Sequence, residues 1–190
     1  SAPNDNWSKD QEKLIAYFKD KKFPLVFAWG PHGHQSSVAG YHPAAQLFPW
    51  RSIRKNEAYP VFSNASTDNN YPGFKNANGG DESGQIGALF RWKSISDTPG
   101  NFQIDLRLVN KAEIKPALKA EIDLPNTAQT AVSFRRLQSF KTEAGQTYQW
   151  SLSREGKTLQ SGAAKADGTG LLTIEKLQLS DRSARFEVRP

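Results

Sequence analysis

The chain has 190 residues, a net charge of +6 and no cysteine, so it can bury one good core, or one core with a small appendage. The lack of cysteine excludes disulfides and a cysteine nucleophile, and it fits a cytosolic and an exported protein equally. Lysine and arginine are scattered without a run of like charges, so a nucleic-acid partner is not indicated. No apolar stretch approaches the ~18 residues that a membrane span needs.

A helix is predicted near the start of the chain. Ser8 can cap it, and Gln11, three residues later, can complete a capping box. Leu14, Ile15 and Phe18 then share one face at helical spacing. Lysines occupy the expected last turn, where cations suit the helix dipole, and a Phe-Pro pair ends the helix.

The next segment, residues 25–29, is apolar without alternation. That pattern is typical of a strand covered on both faces, as in a parallel sheet flanked by helices. One helix and one strand cannot make such a sheet, so the neighbouring strands must come from later in the chain, from a partner or from removed sequence. A loop with two glycines and two histidines, His32 and His34, follows this strand.

The first elements follow one another in the order acidic loop, helix, apolar strand and histidine loop. The last elements of an α/β-hydrolase come in the same order, and the chain resembles that family. The resemblance is to secreted bacterial esterases and prolyl-oligopeptidase-like proteins, whose hydrolase domain is followed by a β-sandwich. The motifs that carry the resemblance lie in residues 4–60, and the rest of the chain resembles the family only in its general sequence pattern. It implies that Asp5 is the triad acid and that His34, or less well His32, is the triad histidine. It also implies a secreted or periplasmic bacterial location.

The nucleophile of a serine hydrolase is missing from this sequence. No Gly-x-Ser-x-Gly occurs, and the serines nearest to glycine-containing segments all lack the glycine two residues earlier; among them are Ser36, Ser37, Ser83 and Ser161. We therefore expect the C-terminal portion of a hydrolase of ester or peptide bonds, inactive until joined to a missing N-terminal hydrolase region. The start at Ser1 without a signal peptide fits a mature form or a fragment. This hypothesis needs no metal and no cofactor.

Other interpretations of the same residues stay open. His32, His34 and His42 lie close together in sequence and could bind zinc, although no carboxylate or cysteine joins them at a recognised spacing. The histidines can equally be hydrogen-bonded loop residues after a strand. Asp5 can equally be a solvated loop acid.

Residues 41–85 are expected to connect two parts of the molecule. In 40–60, prolines alternate with aromatic residues, which predicts an ordered strap across the surface. Residues 64–85 are rich in Asn, Asp, Gly and Ser and predict a long polar loop. Its oxygen-bearing side chains could bind calcium, but their spacing fits no EF-hand.

From residue 86 onward the hydrophobic period changes to two. The clearest strand is 102–108, where apolar residues alternate with polar ones. Similar alternation recurs at 86–92, 132–134, 148–152, 172–174 and 186–188. Turn sequences separate these segments at 97–100, 143–145, 154–157 and 167–170. Short strands at this spacing favour an antiparallel β-sandwich of about seven strands.

The predicted fold is thus mainly β, an antiparallel sandwich preceded by one helix and one buried strand that form a small α/β piece. Three parts are expected. They are the helix, strand and histidine loop at 1–40, the strap and polar loop at 41–85, and the sandwich at 86–190.

A sandwich alone does not imply a function. The rival hypothesis makes the chain a non-catalytic binding or adhesion module for a carbohydrate polymer or a protein ligand. Trp92 and Trp150 could stack on sugars, but both are in the inward phase of their strands, which favours core packing. Arg135 and Arg136 break the alternation of 131–140, which indicates either a bulge or an interface pair.

Overall fold

The computed structural model describes residues 10–30, 48–71, 73, 84–114 and 124–190. These residues contain one α-helix and ten β-strands. The helix is α1 (Gln11–Asp20), and the strands are β1 (Phe27–Trp29), β2 (Tyr59–Ser63), β3 (Gly84–Ile86), β4 (Phe90–Thr98), β5 (Asn101–Leu108), β6 (Thr127–Arg135), β7 (Thr147–Arg154), β8 (Lys157–Lys165), β9 (Thr173–Ser180) and β10 (Ala184–Arg189).

The predicted mainly-β antiparallel sandwich is confirmed. One sheet has five strands in the order β4-β5-β10-β7-β8, and the other has three in the order β2-β6-β9. The alternation of β5 places Phe102, Ile104, Leu106 and Leu108 in the core, while the residues between them are half-buried. Trp92 is buried in the same core, and Trp150 packs against it with its ring stacked on that of Phe186.

The strand count differs from the prediction, since the described residues hold ten strands and not about seven. The segment predicted as a surface strap contributes β2, whose five residues are all buried because it pairs with β6. The polar loop contributes β3. The strand predicted at 86–92 is interrupted, because Gly87 has a φ of +69° and turns the chain between β3 and β4.

Hairpin turns lie where the sequence predicts them. β4 and β5 are joined by a turn at Pro99 and Gly100. β7 and β8 are joined at Glu155 and Gly156, which have φ values of +50° and +77°. Two consecutive positive φ values are typical of the turns whose twist matches that of paired strands.

The helix and first strand form a small unit beside the sandwich. The N-cap of α1 is Asp10 rather than the predicted Ser8, which lies outside the described residues. Only Ile15 of the predicted apolar face is fully buried, in a cluster with Trp29 and Ile86. β1 pairs antiparallel with β3, so the expectation of a parallel sheet is wrong. Its neighbouring strand comes from later in the chain, one of the three sources considered.

Of the two alternatives for Arg135 and Arg136, the bulge is wrong. β6 ends at Arg135, and Arg136 follows with a φ of +57°. The register shift of β6 against β9 lies earlier, between Thr130 and Val132. β6 therefore ends at the arginine pair, and each of the two side chains donates a hydrogen bond to a distant segment of the chain.

Candidate functional site

The predicted triad residues Asp5, His32 and His34 lie outside the described residues, as does His42. The structure describes the support from which the histidine segment departs. β1 ends at Trp29, and Gly30, the last described residue before that segment, is buried. Gly30 is therefore the described residue that lies nearest in sequence to the two predicted triad histidines.

An aromatic cluster holds the end of β1. Trp29 is 2% exposed. Its ring meets that of Tyr71 edge to face at 5.3 Å between centroids, and Tyr71 also meets Phe27 at 5.1 Å. Edge-to-face pairs at these distances add to the stability gained from burial alone. The last residues before the histidine segment are thus rigidly packed.

Close backbone approach also fixes this strand end. Gly84 of β3 lies against the Trp29 ring, so that a Cβ atom at residue 84 would stand 2.2 Å from Trp29 Cζ2. Residue 84 must therefore be glycine for Trp29 to keep its place.

Polar side chains of the segment 64–71 hold β3 from the other side. Asp68 Oδ1 accepts a hydrogen bond from the Gly87 N–H at 2.9 Å, and Asn69 Oδ1 accepts one from the Gln85 N–H at 3.0 Å. Burial raises the pKa of Asp68, and bonds from the Gly87 and Ala65 N–H groups, with the charge of Lys19, oppose that rise. These oxygens, considered above as calcium ligands, accept backbone N–H groups instead.

An arginine anchors the helix and strand unit to the sandwich. Arg135, at the end of β6, donates through Nη2 to the carbonyl oxygens of Lys21 and Lys22, each at 2.9 Å. Its guanidinium also lies 5.4 Å from the centre of the Phe23 ring. Lys22 in turn donates to Thr173 Oγ1 of β9 at 3.1 Å. The turn after α1 is therefore held by charged hydrogen bonds on both sides.

The outer side of this unit is apolar and exposed. Leu14 is 45% exposed, Tyr17 is 54% exposed and Phe23 is 40% exposed. Large apolar side chains grouped on one side of a short helix are typical of a surface that packs against further polypeptide.

A charged network covers the outer face of the five-stranded sheet. Glu187 of β10 accepts hydrogen bonds at Oε1 from Asn101 at 2.7 Å, Gln103 at 2.8 Å and Arg189 at 2.8 Å. Arg185, two residues earlier, donates to Asp105 and to Gln103. The network therefore runs continuously along β5 and β10.

This network makes the stability of the sandwich sensitive to acid. Burial raises the pKa of Glu187, but the bonds from Gln103, Arg189 and Asn101 outweigh it and leave the pKa below its ordinary 4.5. A lowered carboxyl pKa contributes stability above the unfolded-state pKa, and that contribution is lost as the pH falls through the folded-state value.

We therefore expect the free energy of unfolding, measured by urea denaturation, to fall as the pH is lowered through and below about 4.5. In Glu187→Gln this fall should be shallower. Glu155→Gln, at a side chain that is 79% exposed, serves as the control and should keep the wild-type slope. Equal slopes for the wild type and Glu187→Gln would contradict this role of Glu187.

Sequence reasoning missed the functions of Arg135 and of the charged face. Arg135 was noticed only as a break in alternation, and nothing in the local pattern points to a turn 113 residues away. The charged residues on the outer face of β5 and β10 are the polar residues of each alternating strand, so they could be recognised in the sequence. Their grouping depends on β10 lying between β5 and β7, which the sequence does not indicate.

Comparisons with known proteins find no matching family model, no matching curated protein and no matching solved structure. The described part of the chain contains no helix that is long and apolar enough to cross a membrane. Nor does that part bring three or more His, Cys, Asp or Glu side chains together as a metal site.

Proposed function

We propose that the chain is the C-terminal portion of a serine hydrolase of the α/β type, which cleaves ester or peptide bonds. In this proposal His34, or His32, takes the proton of a serine, and Asp5 orients the histidine. The serine belongs to a preceding hydrolase region. The β-sandwich carries the helix and strand that position the histidine.

The observation that supports this most is the rigid strand end before the histidine segment. A general base must be held within a fraction of an ångström of its working position, and rigid elements do this better than loops do. Trp29 is clamped by Tyr71 and Gly84 immediately before Gly30. A strand that ends three residues before His32 and five before His34 also agrees with the order of elements in the family that the sequence resembles.

A second observation supports a preceding region as the partner. The exposed side chains of Leu14, Tyr17 and Phe23 lie on the helix and turn that lead into β1. A hydrolase domain packed there would cover them while receiving the histidine. Arg135 ties the same turn to the end of β6 and lies against the Phe23 ring, and Phe23 stays 40% exposed beside this anchor.

Hydrolysis of a chromogenic short-chain ester tests this proposal. We expect no turnover by the 190-residue chain alone, and turnover by a longer chain that includes the region encoded upstream. In the longer chain His34→Ala should reduce kcat by at least about 10³-fold, the effect of removing a triad histidine. His42→Ala is the matched control and should keep the activity.

Two results would contradict the proposal. One is turnover by the 190-residue chain that His34→Ala abolishes, because the nucleophile would then lie within the chain. The other is a longer chain whose activity survives both His34→Ala and His32→Ala.

A further inference from the structure

A second candidate site lies on the outer face of the five-stranded sheet. A shallow open cavity of about 440 Å³ is lined there by residues of four strands and two turns. Four of these residues are cationic and two are carboxylates. They are Lys93, Arg154, Arg182 and Arg185, with Asp105 and Glu155.

The floor of this cavity is one row of side chains that crosses four strands. Lys93 on β4 pairs with Asp105 on β5, Asp105 pairs with Arg185 on β10, and Arg185 pairs with Ser153 on β7. With neighbouring strands about 4.8 Å apart, the row spans about 14 Å. Asp105 and Arg185 each lie between two buried residues of their strands, and the residues before Lys93 and Ser153 are buried as well, so this row faces outward.

Several features preorganise the row for a ligand. Asp105, whose side chain is 14% exposed, and Gln103 both accept from Arg185, so the guanidinium is held in one orientation. Directly after Lys93 the ladder is interrupted by a bulge, and Ser94 has a φ of +54°. Bulges of this kind re-aim side chains and are frequent beside binding sites.

The cavity has a positively charged rim. Arg154 ties down the turn after β9 by donating to the Arg182 and Ser183 carbonyl oxygens at 2.9 and 3.2 Å. Arg182 then projects with 66% of its side chain exposed and makes one ion pair, to Glu155 at 3.2 Å. The remaining N–H donors of the Arg182 guanidinium and the exposed Lys93 ammonium can bind an anionic ligand.

A second open cavity of about 330 Å³ continues along the same face. Its lining includes Ser151 and Glu187, which lie two residues along β7 and β10 from Ser153 and Arg185. Two residues of strand are about 7 Å, so the cavities are adjacent. Adjacent cavities along one face suit several units of a polymer better than one small molecule.

We propose that this face, here called the cationic groove, binds an acidic polysaccharide, with the carboxylate groups of uronic acid units on Lys93, Arg182 and Arg185. Asp105, Glu155 and Glu187 are acceptors that suit the sugar hydroxyls, which a polyuronate offers beside each of its carboxylates. A single-stranded nucleic acid stacks its bases on a series of aromatic platforms, whereas the first cavity has no aromatic lining residue and the second has one, Trp150, whose ring is stacked on Phe186. This inference does not depend on the proposed hydrolase function.

Titration calorimetry of the 190-residue chain at low ionic strength tests the groove. The probes are oligogalacturonate, oligomannuronate and, as a neutral match, fully methyl-esterified oligogalacturonate. We expect binding to at least one acidic oligomer, none to the methyl ester, and weakening as salt is added. The double variant Lys93→Gln with Arg182→Gln should weaken binding at least about tenfold.

The double variant Lys13→Gln with Lys55→Gln removes the same charge from two exposed positions outside the groove, and its affinity should stay within about twofold of the wild type. Failure to bind either acidic oligomer would overturn the proposal. Equal weakening by both double variants would do so as well, because it would reflect net charge alone. Tighter binding of duplex DNA than of either acidic oligomer would overturn the assignment to a polysaccharide.

Discussion

Gly84→Ala is expected to release the end of β1 from its packed position. The new Cβ would stand 2.2 Å from Trp29 Cζ2, and the Trp29 ring cannot swing into solvent without leaving a buried site. Overpacking of this kind costs about 1 to 3 kcal/mol. Hydrogen exchange followed by mass spectrometry should therefore show amides of β1 and β3 exchanging about fivefold faster or more.

Gly100→Ala is the matched control for this substitution. Gly100 lies in the turn between β4 and β5, and a Cβ there meets no atom within 4 Å. Its exchange rates in β1 and β3 should equal those of the wild type. If Gly84→Ala also left those rates unchanged, the clamped strand end would not exist as described.

Arg135→Ala is expected to loosen the helix and strand unit while the sandwich stays folded. The variant loses two hydrogen bonds to the carbonyl oxygens of Lys21 and Lys22 and the contact with the Phe23 ring. Bonds from a charged donor are worth about 1.5 to 3 kcal/mol. Exchange should speed up in α1 and β1 and stay unchanged in β7 and β8.

Arg136→Ala provides a control with the same loss of charge at the next residue. Arg136 donates to the Arg54 carbonyl oxygen at 3.0 Å and lies 5.5 Å from the Tyr59 ring centre. Its removal should speed exchange near residues 54–59 and leave α1 unchanged. Identical exchange maps for the two variants would contradict the separate roles of the two arginines.

The sandwich could be predicted because its inner strands are covered on one face only. In β5 and β10 every second residue enters the core, and this alternation is legible in sequence. Turns were equally legible, since Glu155 and Gly156 adopt positive φ and Gly favours that region. Both signals depend on residues that are close together in the sequence, so they can be recognised without knowledge of the fold.

The strands that the sequence did not predict lack this one-sided burial. β8 is an edge strand without a fully buried residue, and its half-buried positions Gln160, Gly162 and Ala164 carry no large apolar side chain that would mark the alternation in sequence. β2 is buried at all five positions, so it shows no alternation. It also contains a proline, and the proline favours the prediction of a strap over that of a strand. β3 has only three residues and lies in a polar segment. Their pairing depends on partners that are distant in sequence.

The candidate site could be predicted only as a position in the chain. The sequence places a histidine segment after an apolar strand predicted over 25–29, and the structure confirms a strand over Phe27–Trp29, in which only Trp29 is fully buried, and describes its support. The support could not be predicted, because it rests on long-range contacts of Gly84 with Trp29 and of Arg135 with the turn after α1. The roles of Asp5, His32 and His34 stay predictions.

The coding sequence directly upstream of the Ser1 codon is the measurement that tests the central proposal most directly. We predict an open reading frame that continues upstream in the same phase and encodes alternating strands and helices with a Gly-x-Ser-x-Gly motif at a strand-to-helix turn. An upstream sequence that encodes no such motif would contradict the assignment of this chain to a serine hydrolase.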